Sequence, residues 1–224
     1  MPQFSIVIPL GDEPAEIGRA VIGWWRPGEA ELLVAAAGES PAARVLREAG
    51  ARVILDPGGS RGARLRDATA ASRGGVLLFL HADSRPPEHA LELVRRSLDA
   101  GATAGSFRLA YENGGPIMRW TAWWANLRSR VLRLPFGDQG LFCSREAYVA
   151  AGGFRDLPVC DDVDLVRRLR RVGRFVVLPE PVVTSSRHYR RRGAARQTYR
   201  VWSTLIGYFL GVAPDRLARW YRGD

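Results

Sequence analysis

Arginine supplies all 33 basic side chains of this 224-residue sequence, against 23 acidic ones, for a formal net charge of +10. At 46% apolar residues, the chain is long and apolar enough for one α/β domain with a full core. No apolar run approaches the roughly 18–20 residues of a spanning helix, the opening "MPQFSIVIPL" lacks the regions of a secretory signal, and Cys143 and Cys160 are too few for a disulfide framework and have no zinc spacing.

A reducing cytoplasm is the expected compartment. The arginine-for-lysine replacement reads as a composition bias, but the placement of the charge is informative. From Arg167 to Arg222, fourteen arginines face two acids, Glu180 and Asp215. Such a surface suits phosphates, acidic lipid headgroups or nucleic acid, or is simply a solvated basic face.

In chain order, Phe4–Pro9, Glu31–Ala37, Ala51–Asp56 and Val76–Leu80 are continuous apolar runs. They are separated by helical stretches at Glu13–Trp25, Pro41–Ala49 and Gly62–Ser72. Continuous strands alternating with helices predict a mostly parallel sheet covered on both faces. Ligands of such sheets sit beyond the carboxyl ends of the strands, here Pro9–Asp12, Ala36–Ser40, Asp56–Arg61 and His81–Asp83. A helix from Glu88 to Gly101 leads to a strand at Ser106–Tyr111. Helical spacing then runs over Pro116–Phe136, with Ile117, Trp120, Trp124, Leu127, Val131 and Leu134 on one face. "GDQGLFCSREAYVAAGGF" gives a turn, a short strand and a short helix, Asp161–Gly173 an amphipathic helix and Arg174–Val183 a late strand. No repeat or linker divides the chain. We expect one domain over residues 1–224, with halves at 1–110 and 111–224, the second ending in a basic, aromatic helical tail.

Asp83 ends the strand of "VLLFLHADSRPP" and is followed by a stiff Pro86-Pro87. Either it holds a divalent cation through oxygen ligands, alongside a diphosphate, or it caps the next helix. His81 is a second ligand or a loop hydrogen bonder. Asp161, Asp162 and Asp164 open a helix, where free N–H groups and the dipole favour carboxylates; one of them also suits a general base opposite the Asp83 loop. "FGDQG" permits a tight turn with close backbone approach to a ligand, and "TSSRHYRRRG" offers Arg187 and Arg191 as phosphate donors.

"SIVIP", "GGVLLFLHADSRPP", "FGDQGLFCSREAYVAAGGF", "DDVDLVRRLRRVGR" and "TSSRHYRRRG…YFLGVAPDRLARWYR" occur in this order over nearly the whole chain. Together they resemble the family 2 glycosyltransferases of GT-A fold. More narrowly, they resemble a small bacterial subfamily associated with radical-SAM and selenium-related genes. The resemblance implies an inverting, metal-dependent transfer of a sugar from a nucleotide-diphosphate donor. Asp83, with His81 standing where a further acid is usual, would hold Mg²⁺ or Mn²⁺. Asp162 of the Asp161-Asp162 pair would be the base, Asp138 and Gln139 would line the sugar and acceptor site, and arginines near Arg187 would steady the diphosphate.

The pattern departs from the family on the nucleoside side. Gly11-Asp12 stands where Asn-Glu is usual, Ala36 or Ala37 where an Asp binds the base, and Arg64 and Arg66 of "RGARLRDAT" where Gln and Asn are usual. An unusual donor or a loss of donor binding would explain all three, with Pro9, Asp12, Ala36, Arg61, Arg64, Ala82 and Asp83 left around the donor. The helices "RWTAWWANLRSRVLRL" and "YRVWSTLIGYFLGV" suit ordinary core packing. They equally suit an interfacial helix on the anionic inner leaflet that presents a lipid-linked acceptor. Two other readings are weaker. A sugar-nucleotidyltransferase would need a glycine-rich basic loop that "PLGDEPAE" does not supply, and a nucleic-acid-binding module would need a recognition motif the chain lacks, so no nucleic-acid partner is expected.

Overall fold

The computed structural model describes residues 3–112, 115–186 and 193–223. The four apolar runs form strands β1 (Phe4–Leu10), β2 (Ala30–Ala36), β3 (Arg52–Leu55) and β4 (Val76–Phe79). Helices α1 (Ala15–Trp24), α2 (Pro41–Glu48) and α3 (Arg61–Ala71) connect them. β1 pairs in parallel with β2 and β4, and β2 with β3. Ser40 and Ser60 start α2 and α3 by accepting the N–H of Ala43 and Ala63, which satisfies one orphan donor at each helix end.

Strand residues alternate between two cores. Phe4, Ile6, Ile8, Leu32 and Val34 pack on one face with Phe107 and Phe142, while Val7, Leu33, Ala35 and Phe79 pack on the other with Leu165 and Leu169. Period-two alternation with both faces buried is what made these strands read as unbroken apolar runs.

Beyond β4 the chain adds β5 (Ser84–Arg85), α4 (Ala90–Asp99), β6 (Ala104–Glu112), α5 (Pro116–Leu132), β7 (Leu141–Ser144), α6 (Arg145–Ala150), α7 (Asp161–Val172), β8 (Phe175–Ser185), α8 (Ala194–Phe209) and α9 (Pro214–Arg222). The described strands form one sheet in the order β3-β2-β1-β4-β7-β6-β8-β5. β7 runs antiparallel to both β4 and β6, and β5 antiparallel to β8, so the parallel arrangement holds for the β3–β4 half and for the β6–β8 pair. β8 tolerates Pro179 and Pro181 because its register with β6 shifts between Ser106 and Arg108, where a bulge relieves the missing donors.

α5 ends at Leu132 rather than running to Phe136. Pro135 disfavours helical backbone at Leu134; Arg133 turns left-handed with φ 47°, and Leu134 folds inward to 5% exposure. No helix among the described residues is long and apolar enough to cross a membrane.

Candidate functional site

β4 delivers its C-terminal loop between two neighbours. The Ser84 N–H donates to the His81 carbonyl (3.1 Å), and the Ser185 N–H of β8 donates to the Asp83 carbonyl (3.2 Å). The Thr184 hydroxyl reaches Asp83 Oδ1 at 3.5 Å, and the Ser84 hydroxyl meets Thr184 Oγ1 at 3.0 Å. β5 and β8 therefore clamp Asp83. It does not cap α4, which begins at Ala90 behind His89.

Arg61, the first residue of α3, reaches across this loop. Its Nη2 lies 2.9 Å from His81 Nε2, and its Nη1 lies 3.4 Å from Asp161 Oδ1, a carboxylate with no exposed surface. A guanidinium only donates, so His81 Nε2 is the acceptor and the ring carries its proton on Nδ1. Burial disfavours the Arg61 charge, but Asp161 and Asp162 outweigh it and its pKa is raised.

Asp161 and Asp162 occupy the first turn of α7, whose dipole favours them. Burial pushes the Asp161 carboxyl up to about 6, with Arg61 opposing and Asp162 adding to the rise. Asp162 points the other way. Its Oδ2 accepts the Gly137 N–H at 2.5 Å and its Oδ1 the Val163 N–H at 2.8 Å. Gly137 opens a 3₁₀ turn (Gly137–Gln139) and sits where a side chain would have little room. A Cβ there would lie 3.0 Å from His81 Nε2 and 3.1 Å from both Arg61 Nη2 and Asp162 Oδ2. A methyl group at this position would have to push these side-chain ends aside by a few tenths of an ångström.

Asp138 follows. Burial raises its carboxyl to about 6, Arg128 opposing while Asp162 and Asp83 add to the rise, and its buried Oδ1 has no hydrogen-bond partner. Glu13, after β1, behaves similarly. Burial raises its pKa, a backbone hydrogen bond from Gly11 opposes this, Asp83 and Asp12 reinforce it, and Oε2 is buried without a partner.

Two cavities meet at this junction. A cavity of about 450 Å³ is bounded by Pro9, Gly11, Asp12, Glu13, Arg64 and Ala82. A larger one, about 790 Å³, has Asp138 and Asp162 at one end and the aromatic residues Trp120, Trp124, Trp202 and Tyr221 along its walls. Arg61, His81 and Asp83 line both.

Of the residues expected from sequence, Pro9, Asp12, Arg61, Arg64, His81, Ala82, Asp83, Asp138 and Asp162 therefore converge. Arg64 also donates to the Gly59 carbonyl at 2.6 Å. Asp161 stands behind Arg61. Ala36 ends β2 fully buried and lines neither cavity. Gln139 is fully buried as well. Its Oε1 accepts from the Ser129 hydroxyl (2.7 Å), the Phe136 N–H (3.3 Å) and Arg128 (3.4 Å), and its amide donates to the Phe107 carbonyl (3.3 Å), so it shapes the turn rather than the cavity wall. Arg187 and Arg191 lie outside the described residues. Sequence reading missed Glu13, whose signal was the second acid in "GDEP", and Arg128, whose guanidinium stacks 3.4 Å over the Phe136 ring.

The residues were tested against a divalent cation. Among those described, no group of three His, Cys, Asp or Glu side chains could enclose one. Mg²⁺-type ions, however, keep waters and bind through one or two carboxylates plus substrate phosphates. Asp83, at the wall common to both cavities, fits that mode. His81, expected as a second ligand, turns its Nε2 to the Arg61 guanidinium 2.9 Å away, so that nitrogen is engaged in this arrangement.

No protein-family model matches the chain, and no curated protein matches it. Solved structures do. It superposes on S. aureus TarS (residues 1–349) in complex with UDP-GlcNAc at TM-score 0.64 and 14% identity, over 83% of this chain and 58% of that one. It superposes on Pyrobaculum calidifontis mannosyltransferase PcManGT in complex with GDP-Man and Mn²⁺ at 0.65 and 17%, over 91% and 61%. A third match is Mycobacterium tuberculosis glucosyl-3-phosphoglycerate synthase with Mn²⁺, UDP and phosphoglyceric acid, at 0.55 and 18%, over 80% and 69%. The chain spans only 37% of a longer TarS chain. At such identities the likeness is one of architecture, and the architecture is the GT-A glycosyltransferase fold.

Proposed function

We propose that this chain is an inverting glycosyltransferase of the family 2 type. Its donor is a nucleotide-diphosphate sugar and its acceptor an alcohol. The observation that carries the reading is the meeting of two cavities at Arg61, His81 and Asp83, with Asp162 facing the larger one. A donor needs one compartment for its nucleoside and another for its sugar, with the diphosphate between them. An arginine and a cation-binding carboxylate at the shared wall match that division.

The donor's nucleoside lies in the smaller cavity, against Asp12 and Glu13. Arg61 donates to the diphosphate, whose charge grows as the bond to the sugar breaks. Asp161 holds Arg61 from behind. Asp83 would hold Mg²⁺ or Mn²⁺ together with the phosphates, and that ion would neutralise the leaving group. The acceptor enters the larger cavity. Asp162, its orientation fixed by the Gly137 and Val163 N–H groups, accepts the proton of the acceptor hydroxyl. The oxygen forms its bond to the anomeric carbon as the carbon–phosphate oxygen bond breaks on the opposite face. The electron pair leaves with the nucleoside diphosphate, and a single displacement inverts the centre. His81, its Nε2 beside Arg61 Nη2, positions that guanidinium.

Calorimetric titration with UDP, GDP, CDP and dTDP, each with and without Mn²⁺, on wild type and Asp83→Ala tests this. The expected result is Mn²⁺-dependent binding of one nucleotide that the substitution abolishes. Binding of none of the four would overturn the nucleotide-donor reading.

A further inference from the structure

Two helices leave apolar faces in solvent beside the larger cavity. On α5, Ile117, Trp120, Trp124 and Val131 recur at helical spacing and are 65%, 57%, 40% and 67% exposed. Trp123 joins them, its ring 5.2 Å from that of Trp124. α5 cannot roll to hide this face, because Asn126 exchanges two hydrogen bonds with the backbone of Leu109 on β6 (2.8 and 3.0 Å) and Arg128 and Ser129 are buried beneath it.

On α8, Tyr199, Trp202, Ile206 and Phe209 form a second exposed stripe. It too is pinned from behind: the Tyr208 hydroxyl donates to Asp164 Oδ1 at 3.1 Å, and Thr204 and Leu205 are buried. The core-packing explanation for these aromatics therefore fails. Trp120, Trp124 and Trp202 are at once exposed and part of the cavity lining, so the cavity opens onto the apolar surface at these residues.

The charge around the stripes selects the occupant. Pro116–Phe136 contains four arginines and no acid, and Ala194–Arg222 five arginines and one acid, Asp215. Exposed Arg119 and Arg130 border the α5 stripe, and Arg216, Arg219 and Arg222 lie on α9. Two such faces brought together would oppose arginine to arginine, whereas an anionic lipid surface neutralises them and takes up the tryptophans at its interface.

We propose that α5, α8 and α9 form a docking face for an anionic bilayer, and that the acceptor is an amphiphile drawn from that bilayer, its tail along the tryptophan wall and its hydroxyl toward Asp162. The acceptor role rests on the transfer reading above; the docking face does not.

Sedimentation of the protein with phosphatidylcholine vesicles, and with vesicles also containing phosphatidylglycerol, measures the docking. Nucleotide binding to the same preparations, read without lipid, separates a failure here from a failure of the transfer reading. Wild type should partition onto the anionic vesicles, lose affinity as salt is added, and show tryptophan quenching by brominated acyl chains. Ile117→Glu with Trp123→Glu, neither in a cavity wall, should weaken partitioning at least about tenfold with thermal unfolding and nucleotide binding unchanged. Monomeric lysophosphatidylglycerol should bind wild type, while Val201→Trp, which fills the cavity, should abolish that binding and leave vesicle docking intact. Equal partitioning onto both vesicle types, no partitioning, or a stable dimer dissociated by the double substitution would overturn the docking face. Amphiphile binding unaffected by Val201→Trp would overturn the tail's place in the cavity.

Discussion

Replacing Asp138 by Asn should make the protein more stable at neutral pH while lowering its activity. The Asp138 carboxyl is raised from an ordinary 3.8 to about 6 by burial and by its neighbours Asp162 and Asp83, even after the opposing effect of Arg128. A difference of that size, at about 1.4 kcal/mol for each tenfold in proton affinity, means that ionised Asp138 costs the fold about 3 kcal/mol at its ceiling. Asparagine keeps the shape and removes the charge, so a gain of about 1–3 kcal/mol is expected at pH 8. The sign fixes the pH window. Between the ordinary value of 3.8 and about 6 the folded protein binds the extra proton, so wild-type stability falls as pH rises through that window. The Asn variant does not share this loss, and the two proteins should converge below the window. Urea unfolding of both at several pH values gives the comparison from shifts in midpoint at constant slope. A variant no more stable than wild type at pH 8, or one whose gain persists unchanged in acid, would refute the assignment of Asp138 as a charge held against its solvation.

Three further substitutions separate the parts of the site. Gly137→Ala puts a methyl group within 3.0–3.1 Å of His81, Arg61 and Asp162, and should cut turnover at least about tenfold with little change in melting temperature; steady-state kinetics beside a thermal scan checks it. Asp162→Asn should lower turnover by about 10²–10⁴-fold and leave nucleotide affinity, read by calorimetry, unaltered. Gln139→Leu strips partners from Ser129, Phe136 and the Phe107 carbonyl and should destabilise by about 2–4 kcal/mol in urea unfolding, again without changing nucleotide affinity.

The first half of the fold was legible because each strand there is buried on both faces and bounded by helix signals. Ser40 and Ser60 cap the helices that follow, and the runs Phe4–Pro9 and Val76–Leu80 have no competing period. The second half was harder to read. β5 is two residues long and carries no pattern. β8 contains two prolines, which argue against a strand unless the bulge opposite Ser106–Arg108 is known. Among the residues lining the two cavities, Asp83 and Asp162 were visible because carboxylates at strand and helix ends are chemically conspicuous. Gln139, placed in the sugar and acceptor site by the family resemblance, is turned inward onto Ser129 and Phe107 by tertiary packing that the local pattern does not announce. The links from Arg61 to His81 and to Asp161 join positions twenty and one hundred residues apart on the chain, and no local spacing encodes them.

The site also leaves a mark on the whole molecule's response to pH. Glu13, Asp138 and Asp161 arrive from three different elements, and burial raises the pKa of each; each contributes stability that grows as pH falls through its folded value. Glu31 does the opposite. Burial works against its charge, but bonds from the Ser5 hydroxyl and the N–H groups of Arg73 and Gly74 outweigh it and lower its pKa below 4.5, so its contribution is present above 4.5 and is lost only as pH falls through the lower, folded value. The two trends cross on the acid side of neutrality. From these groups stability should rise as pH falls through about 6 toward 4.5, below which the Glu31 contribution is lost, so it should be lower at pH 8 than near pH 4.5 even though the ion pairs among the described residues are intact at pH 8. Urea midpoints measured across pH 4 to 8 give the curve directly. A maximum near neutrality would mean that these carboxylates are solvated in the folded chain, and that the junction of the two cavities is wetter than the geometry implies.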